Sequence, residues 1–249
     1  MIRLPIRALG LGLCGALAIF AASASAASAA DQLPDLGMAA PSAVQLQNSN
    51  GHRLLRYTAV IANVGAGPLE LLGSRSNTST ADMSVVQRIF NTSGTYRDVS
   101  TGAAMYYAGD GHNHWHVRDL EIGTLTRLDN GDKVRTLAKH GFCFSDDVAY
   151  RLGLPGEPSS PQFPDCGSNQ PLALSVQVGL SVGWGDVYQW NIAYQYIDVT
   201  GLSPGRYRLS DRVNTALGLQ ESNTGNDSSW VDIQLKHNSV KVVATGPSI

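Results

Sequence analysis

Cysteine, clustered charge and long apolar segments are all scarce in this chain, and each shortage excludes something. Three cysteines in 249 residues cannot make a disulfide-dense scaffold. Lysine and arginine total 18 against 20 acidic residues, for a net charge of −2, and they are scattered along the sequence. No basic stripe speaks for nucleic acid, and no polybasic cluster speaks for an anionic membrane surface. Beyond residue 30, every apolar run is cut by charge, Gly or Asn within about ten positions, short of the roughly 18 apolar residues that a membrane-spanning helix needs. The mature chain is therefore not expected to insert into a membrane. No window carries a helical apolar period over three turns with caps at both ends, so helix should be rare.

At the start, Arg3 and Arg7 precede an apolar run over residues 8–22, followed by small residues ending in Ala-Ser-Ala-Ala. That is the pattern of a secretory signal peptide, with cleavage expected near Ala30. Residues 1–30 are set apart on this basis, and residues 31–249 are expected to form one domain, secreted or periplasmic. Losing Cys14 with the leader leaves Cys143 and Cys166 in a compartment that permits oxidation, and one disulfide is the natural pairing. A loop of that size contributes roughly 3 kcal/mol by the chain-entropy estimate.

Residues 53–62, 69–72, 85–90, 114–128, 187–200, 206–213 and 230–235 are rich in β-branched and aromatic side chains and read as strands. Turn signals separate them, the strongest being Asp129-Asn130-Gly131-Asp132 between two alternating runs. An all-β antiparallel β-sandwich with long loops and little helix follows. Residues 152–164, dense in Gly, Pro and Ser, should form an exposed loop within the domain.

Three of the six histidines fall at alternate positions in Gly111-His112-Asn113-His114-Trp115-His116-Val117. On a strand, residues two apart share a face, and a rise of roughly 3.3 Å per residue would spread the three imidazoles over about 7 Å. Three neutral imidazoles suit Cu, Zn or Ni, and a fourth position left to water or substrate marks a catalytic site. Spacing alone does not choose the metal, and a zinc hydrolase stays open at this point.

Read together, Asp110-Gly-His-Asn-His-Trp-His116, then Lys139-His-Gly-Phe-Cys143, then Gly183-Trp-Gly-Asp-Val-Tyr188 resemble, in order, the catalytic domain of the lysyl oxidase family. Leu33-Pro-Asp-Leu36, Gln195-Tyr-Ile-Asp-Val-Thr200, Pro204-Gly-Arg-Tyr207 and Glu221-Ser-Asn223 with Asn226-Asp227 extend the likeness over most of the mature chain. Few cysteines and a compact single domain point to a bacterial-type member.

The resemblance implies that His112, His114 and His116 bind copper(II), and that Lys139 and Tyr188 are the precursors of lysine tyrosylquinone. It implies oxidative deamination of peptidyl lysine or a small primary amine to an aldehyde, with release of ammonia and hydrogen peroxide. Lys139 should then be partly desolvated, which favours the free amine. Asp119 corresponds to an aspartate proposed as the proton-abstracting base, although strand parity puts it opposite the imidazoles; Asp186, two residues before Tyr188, is the alternative. The resemblance also implies a calcium site built from Asp35, the Leu36 carbonyl, Glu221, Asn223, Asn226 and Asp227, all oxygen ligands of the kind a hard cation takes. One departure is that Trp184 and Tyr194 stand where the animal enzymes carry cysteine. Two alternatives to an oxidase are a non-enzymatic secreted copper-binding module and a three-histidine zinc hydrolase.

Overall fold

The computed structural model describes residue 1 and residues 29–109, 111–213 and 215–249. The expected signal peptide lies almost entirely outside the described residues. No helix among those described is long and apolar enough to cross a membrane.

Alternating sequence produces alternating burial. In Met83–Asn91, the side chains of Met83, Val85, Gln87 and Ile89 are buried while Ser84 between them is exposed. Such strands join, in antiparallel pairs, into three sheets. One runs in the order Gly141–Phe142, Trp115–Arg118, Tyr96–Tyr107, Met83–Asn91, Leu69–Ser74 and Ser175–Leu180, with Asp31–Gln32 added beside Met83–Asn91. A second orders Lys133–Thr136, Glu121–Arg127, Gly205–Val213, Ser228–Leu235 and Val240–Thr245. In the third, the 12-residue strand His52–Asn63 is shared by Leu36–Met38, Ser42–Ser49, Trp184–Tyr188 and Tyr196–Asp198. The sheets enclose one core, in which Leu55, Tyr57, Trp115, Phe142, Phe144, Tyr207 and Leu209 are fully buried. The fold is thus an all-β sandwich. Helix among the described residues is confined to the 3₁₀ turn Thr215–Leu217.

Two expected strands are each two strands. The run over 114–128 breaks at Asp119, whose φ of 51° is left-handed, a conformation that Asp tolerates and an extended strand cannot contain. Asp119 is the corner where the chain leaves the first sheet as Trp115–Arg118 and enters the second as Glu121–Arg127. The run over 187–200 is likewise interrupted by turns ending at Tyr194, with a φ of 61°, and resumes as Tyr196–Asp198. The hairpin at residues 129–132 forms as expected, with Gly131 at a φ of 77° and its N–H donating to the Arg127 carbonyl at 2.9 Å.

Residues 152–164 carry no strand and are mostly exposed, but the loop is anchored at its end. Asp146 accepts from the Gln162 N–H at 2.8 Å, the Phe163 N–H at 3.2 Å, and both the backbone N–H and the hydroxyl of Ser181 at 2.8 and 2.7 Å. The Phe163 ring is buried beneath it.

Candidate metal centre

Only His116 of the three motif histidines lies in a strand. His112 and His114 precede Trp115–Arg118 in a turn, with Gly111 at a φ of 99° and Asn113 at 54°. The expected extended run through all three is therefore corrected: the left-handed Asn113 bends the chain, and the imidazoles converge instead of standing in a row. One ligand nitrogen from each lies within 4.8 Å of the others. His116 Nε2 is 2.8 Å from His114 Nε2 and 3.3 Å from His112 Nδ1. Burial, aided by the neighbouring Lys139 and the other two imidazoles, lowers the His116 pKa to about 2, so its ring is neutral. Converging imidazole nitrogens with at least one ring held neutral form a donor set that a cation completes, and the chemistry suits copper or zinc.

These rings open onto a cavity of about 310 Å³ that also takes Lys139, Ser145, Asp147, Asp186, Tyr188 and Ile192 into its walls. Lys139 is 5% exposed. Its segment is held from three sides: Leu137 donates to Gly123 at 2.9 Å, Ala138 to Tyr196 at 2.9 Å, and the His140 carbonyl accepts from Asp119 at 2.8 Å. The Lys139 ammonium nitrogen sits 5.2 Å from the centre of the Phe142 ring and 5.6 Å from that of Tyr188. Phe142 meets Tyr188 edge-on at 5.1 Å. The Tyr188 hydroxyl donates to the Asp186 carboxylate, with the Cys143 carbonyl 3.1 Å away as a second acceptor.

Charge here is dominated by burial. Asp186 is pushed well above the usual carboxylate range by burial and by nearby Asp147, against the opposing pull of Tyr188 and Lys139. Tyr188 is pushed up by burial, then by Asp186 and Glu121. Cys143 and Cys166 form the expected disulfide, with Cα atoms 5.8 Å apart.

Asp119 does not line this cavity. It turns outward and pairs with His140 at 2.9 Å, on the rim of a second cavity of about 250 Å³ that also reaches Glu121 and Lys139. The six residues expected at a calcium site do come together. Leu36 donates its N–H to Glu221 at 2.7 Å, Asn226 donates to Asp35 at 2.7 Å, and Asn223 donates to Asn226 at 2.8 Å. Both Asp227 oxygens are buried and have no hydrogen-bond partner among the described residues. Burial raises the pKa of Glu221 to about 8 and that of Asp227 to about 6, with the neighbouring carboxylates adding to both.

Sequence reasoning missed Glu121, Asp211, Tyr57 and Asp147. The signal for the first two was present: Glu121 and Asp211 occupy inward positions of strands whose other inward residues are Gly123 and Leu125, or Tyr207, Leu209 and Val213.

The family model described as Lysyl oxidase matches residues 86–245, well over half the sequence and the whole of this site apart from Asp35 and Leu36. The chain belongs to the lysyl oxidase family. It is 27% identical over 117 residues to lysyl oxidase homolog 3 of Homo sapiens, covering 47% of this chain and 14% of that protein. Lysyl oxidase homolog 3A of Danio rerio is 30% identical over 117 residues, with the same coverage. Protein-lysine 6-oxidase of Sus scrofa is 28% identical over 141 residues, covering 55% of this chain and 49% of that protein. The chain thus matches from about a seventh to about half of the length of these relatives.

Proposed function

We propose that this member of the lysyl oxidase family is a secreted copper-dependent amine oxidase acting on peptidyl lysine or a small primary amine. One observation carries the proposal: three converging imidazoles, a buried lysine and a buried tyrosine whose ring lies 5.6 Å from the lysine nitrogen share the walls of one cavity. A zinc hydrolase would use the imidazoles but has no need of the Lys139 and Tyr188 pair, and a simple copper-binding module needs neither. His112, His114 and His116 would hold the copper, and Lys139 and Tyr188 would supply the nitrogen and the ring of lysine tyrosylquinone. When present, copper and quinone supply the two-electron oxidation that converts amine, water and O₂ to aldehyde, ammonia and hydrogen peroxide.

The remaining work falls to the chain's own groups. Phe142 and the hydroxyl contacts to Asp186 and Cys143 fix the Tyr188 ring. Asp186, a cavity wall with a raised proton affinity, is placed to hold a proton taken from substrate, whereas Asp119 faces His140. Away from the cavity walls, Asp35, the Leu36 carbonyl, Glu221, Asn223, Asn226 and Asp227 would bind calcium and tie the start of the mature chain to a late loop.

The test is visible absorption of the purified mature protein loaded with Cu(II) in air, before and after phenylhydrazine, beside a Tyr188→Phe control. An adduct in the parent that is lost in the variant is expected. Stoichiometric copper with no adduct in the parent would overturn the oxidase and leave a copper-binding module.

A further inference from the structure

Behind Lys139, away from the histidines, lies a group of acids that the proposed chemistry does not use. Glu121 begins the strand Glu121–Arg127 with its side chain inward, 2% exposed, and neither carboxyl oxygen has a hydrogen-bond partner among the described residues. It is faced by Asp211 from Gly205–Val213, close enough for the two carboxyls to share a hydrogen bond once one of them is protonated. Tyr57 from His52–Asn63, Asp186 and Tyr188 from Trp184–Tyr188, and Lys139 complete its charged and titratable surroundings. Gly123 makes room for this grouping, because a β-carbon there would collide with the Tyr57 hydroxyl. Among these groups Lys139 is the one cation. On its open side, Glu121 lines the cavity of about 250 Å³ shared with Lys139, Asp119 and His140, and the last two are exposed at its mouth.

Two buried carboxylates facing each other with no donor between them are costly, and so is a buried ammonium; moving one proton from the nitrogen to Glu121 removes two of these charges and gives the pair a proton to share. Asp186 is less suited to that exchange because the Tyr188 hydroxyl already occupies it. We infer that Glu121 takes up the proton that Lys139 must lose before its nitrogen can bond to the Tyr188 ring, and releases it to solvent through the cavity bordered by Asp119 and His140. In the transfer, –NH₃⁺ and –COO⁻ become –NH₂ and –COOH, and the carboxyl proton then leaves to water. Glu121 is a positioning residue in this scheme: it acts through Lys139 and touches neither metal nor substrate. The inference rests on the proposed oxidase chemistry, since only cofactor formation requires the free amine. Burial and the Asp211 charge both raise the proton affinity of Glu121, in the direction the transfer needs.

Two measurements test it. The chain has four glutamates, Glu70, Glu121, Glu157 and Glu221, so a carbon-13 glutamate label resolves Glu121 by its loss in Glu121→Gln. In the copper-free protein at neutral pH, the Glu121 carboxyl carbon should have the shift of the protonated acid; a carboxylate shift overturns the inference whatever the cofactor does. The second measurement is the rate at which the joined Lys139–Tyr188 peptide appears by mass spectrometry after Cu(II) is added in air, followed against pH. Glu121→Gln should slow joining at least about tenfold near neutrality and recover about tenfold per pH unit as alkali removes the lysine proton instead. Glu121→Asp should restore much of the neutral rate. Parental joining matched by Glu121→Gln at every pH overturns the inference and leaves the oxidase standing. No joined peptide in the parent overturns both.

Discussion

The side-chain nitrogen of Lys139 lies 5.6 Å from the centre of the Tyr188 ring, although 49 positions in sequence separate them. The two arrive from different directions. Lys139 sits on a loop held by the strands Glu121–Arg127 and Tyr196–Asp198, and Tyr188 ends a strand paired to His52–Asn63. Lys139→Met keeps the bulk of the side chain and removes the nitrogen. The variant should bind copper in the parental ratio while giving no joined peptide and no phenylhydrazine adduct, checked by metal analysis, mass spectrometry and absorption.

His116 is the nitrogen nearest both other ligands, and it is the buried one of the three. Replacing a partner outside the ligand set of a metal site commonly costs 10- to 100-fold in affinity, so loss of a ligand should cost more. His116→Ala is expected to weaken Cu(II) binding by at least about 100-fold in competition titrations. Affinity retained within about threefold would remove the histidines as the metal centre.

Burial raises the Asp211 pKa to about 6 from its ordinary 3.8. A carboxyl with a raised folded-state pKa stabilises the fold fully below about pH 3.8, and that stability is lost as pH rises through about 6. Asp211→Asn keeps the shape and cannot ionise, so relative to the variant the copper-free parent should lose stability between about pH 4 and pH 7 in urea unfolding. Parallel curves would show that Asp211 does not ionise at a cost.

The carboxyls of the proposed calcium site have the same sign. Without a cation, Glu221 and Asp227 cost stability as they ionise, through about pH 8 and about pH 6 respectively. Calcium binds the ionised forms, so its effect should grow with pH. Added calcium is expected to raise Tm more at about pH 8.5 than at about pH 5.5, with Asp227→Asn losing most of the difference.

Cys143 joins two tasks, because its sulfur is bonded to Cys166 and its carbonyl is 3.1 Å from the Tyr188 hydroxyl. Cys166→Ser with Cys143→Ser should destabilise the protein by ~2–4 kcal/mol. It should also reduce the yield of joined peptide at a temperature where both proteins remain folded. An undiminished yield would make the disulfide purely a matter of stability.

Much of this architecture was legible in the sequence because it rests on local rules. Enrichment in β-branched and aromatic residues marked half of the strands but not Ser42–Ser49 or Tyr96–Tyr107, Asp129-Asn130-Gly131-Asp132 marked the hairpin, and the two cysteines beyond residue 30 marked the disulfide. What was not legible depends on single backbone angles and on distant neighbours. Nothing local separates an Asn113 that continues a strand from one that turns, and that turn brings the imidazoles together. Asp119 reads as a strand residue until the chain is seen to change sheets there. Glu121 and Asp211 stand five positions and 95 positions after His116 and become neighbours only because Gly205–Val213 pairs with Glu121–Arg127.

The four hydrogen bonds at Asp146 have a consequence for how this protein can be altered. The loop over 152–164 is gripped at its root by one carboxylate, flanked by Ser145 and Asp147, which line the cavity at the three histidines. The fold makes few demands on the sequence of its exposed tip. Grafting new tips between residues 152 and 161 is therefore a way to present different targets to the cavity, amine-bearing ones if the proposed oxidase reading holds, with Asp146 as the hinge pin that must be kept.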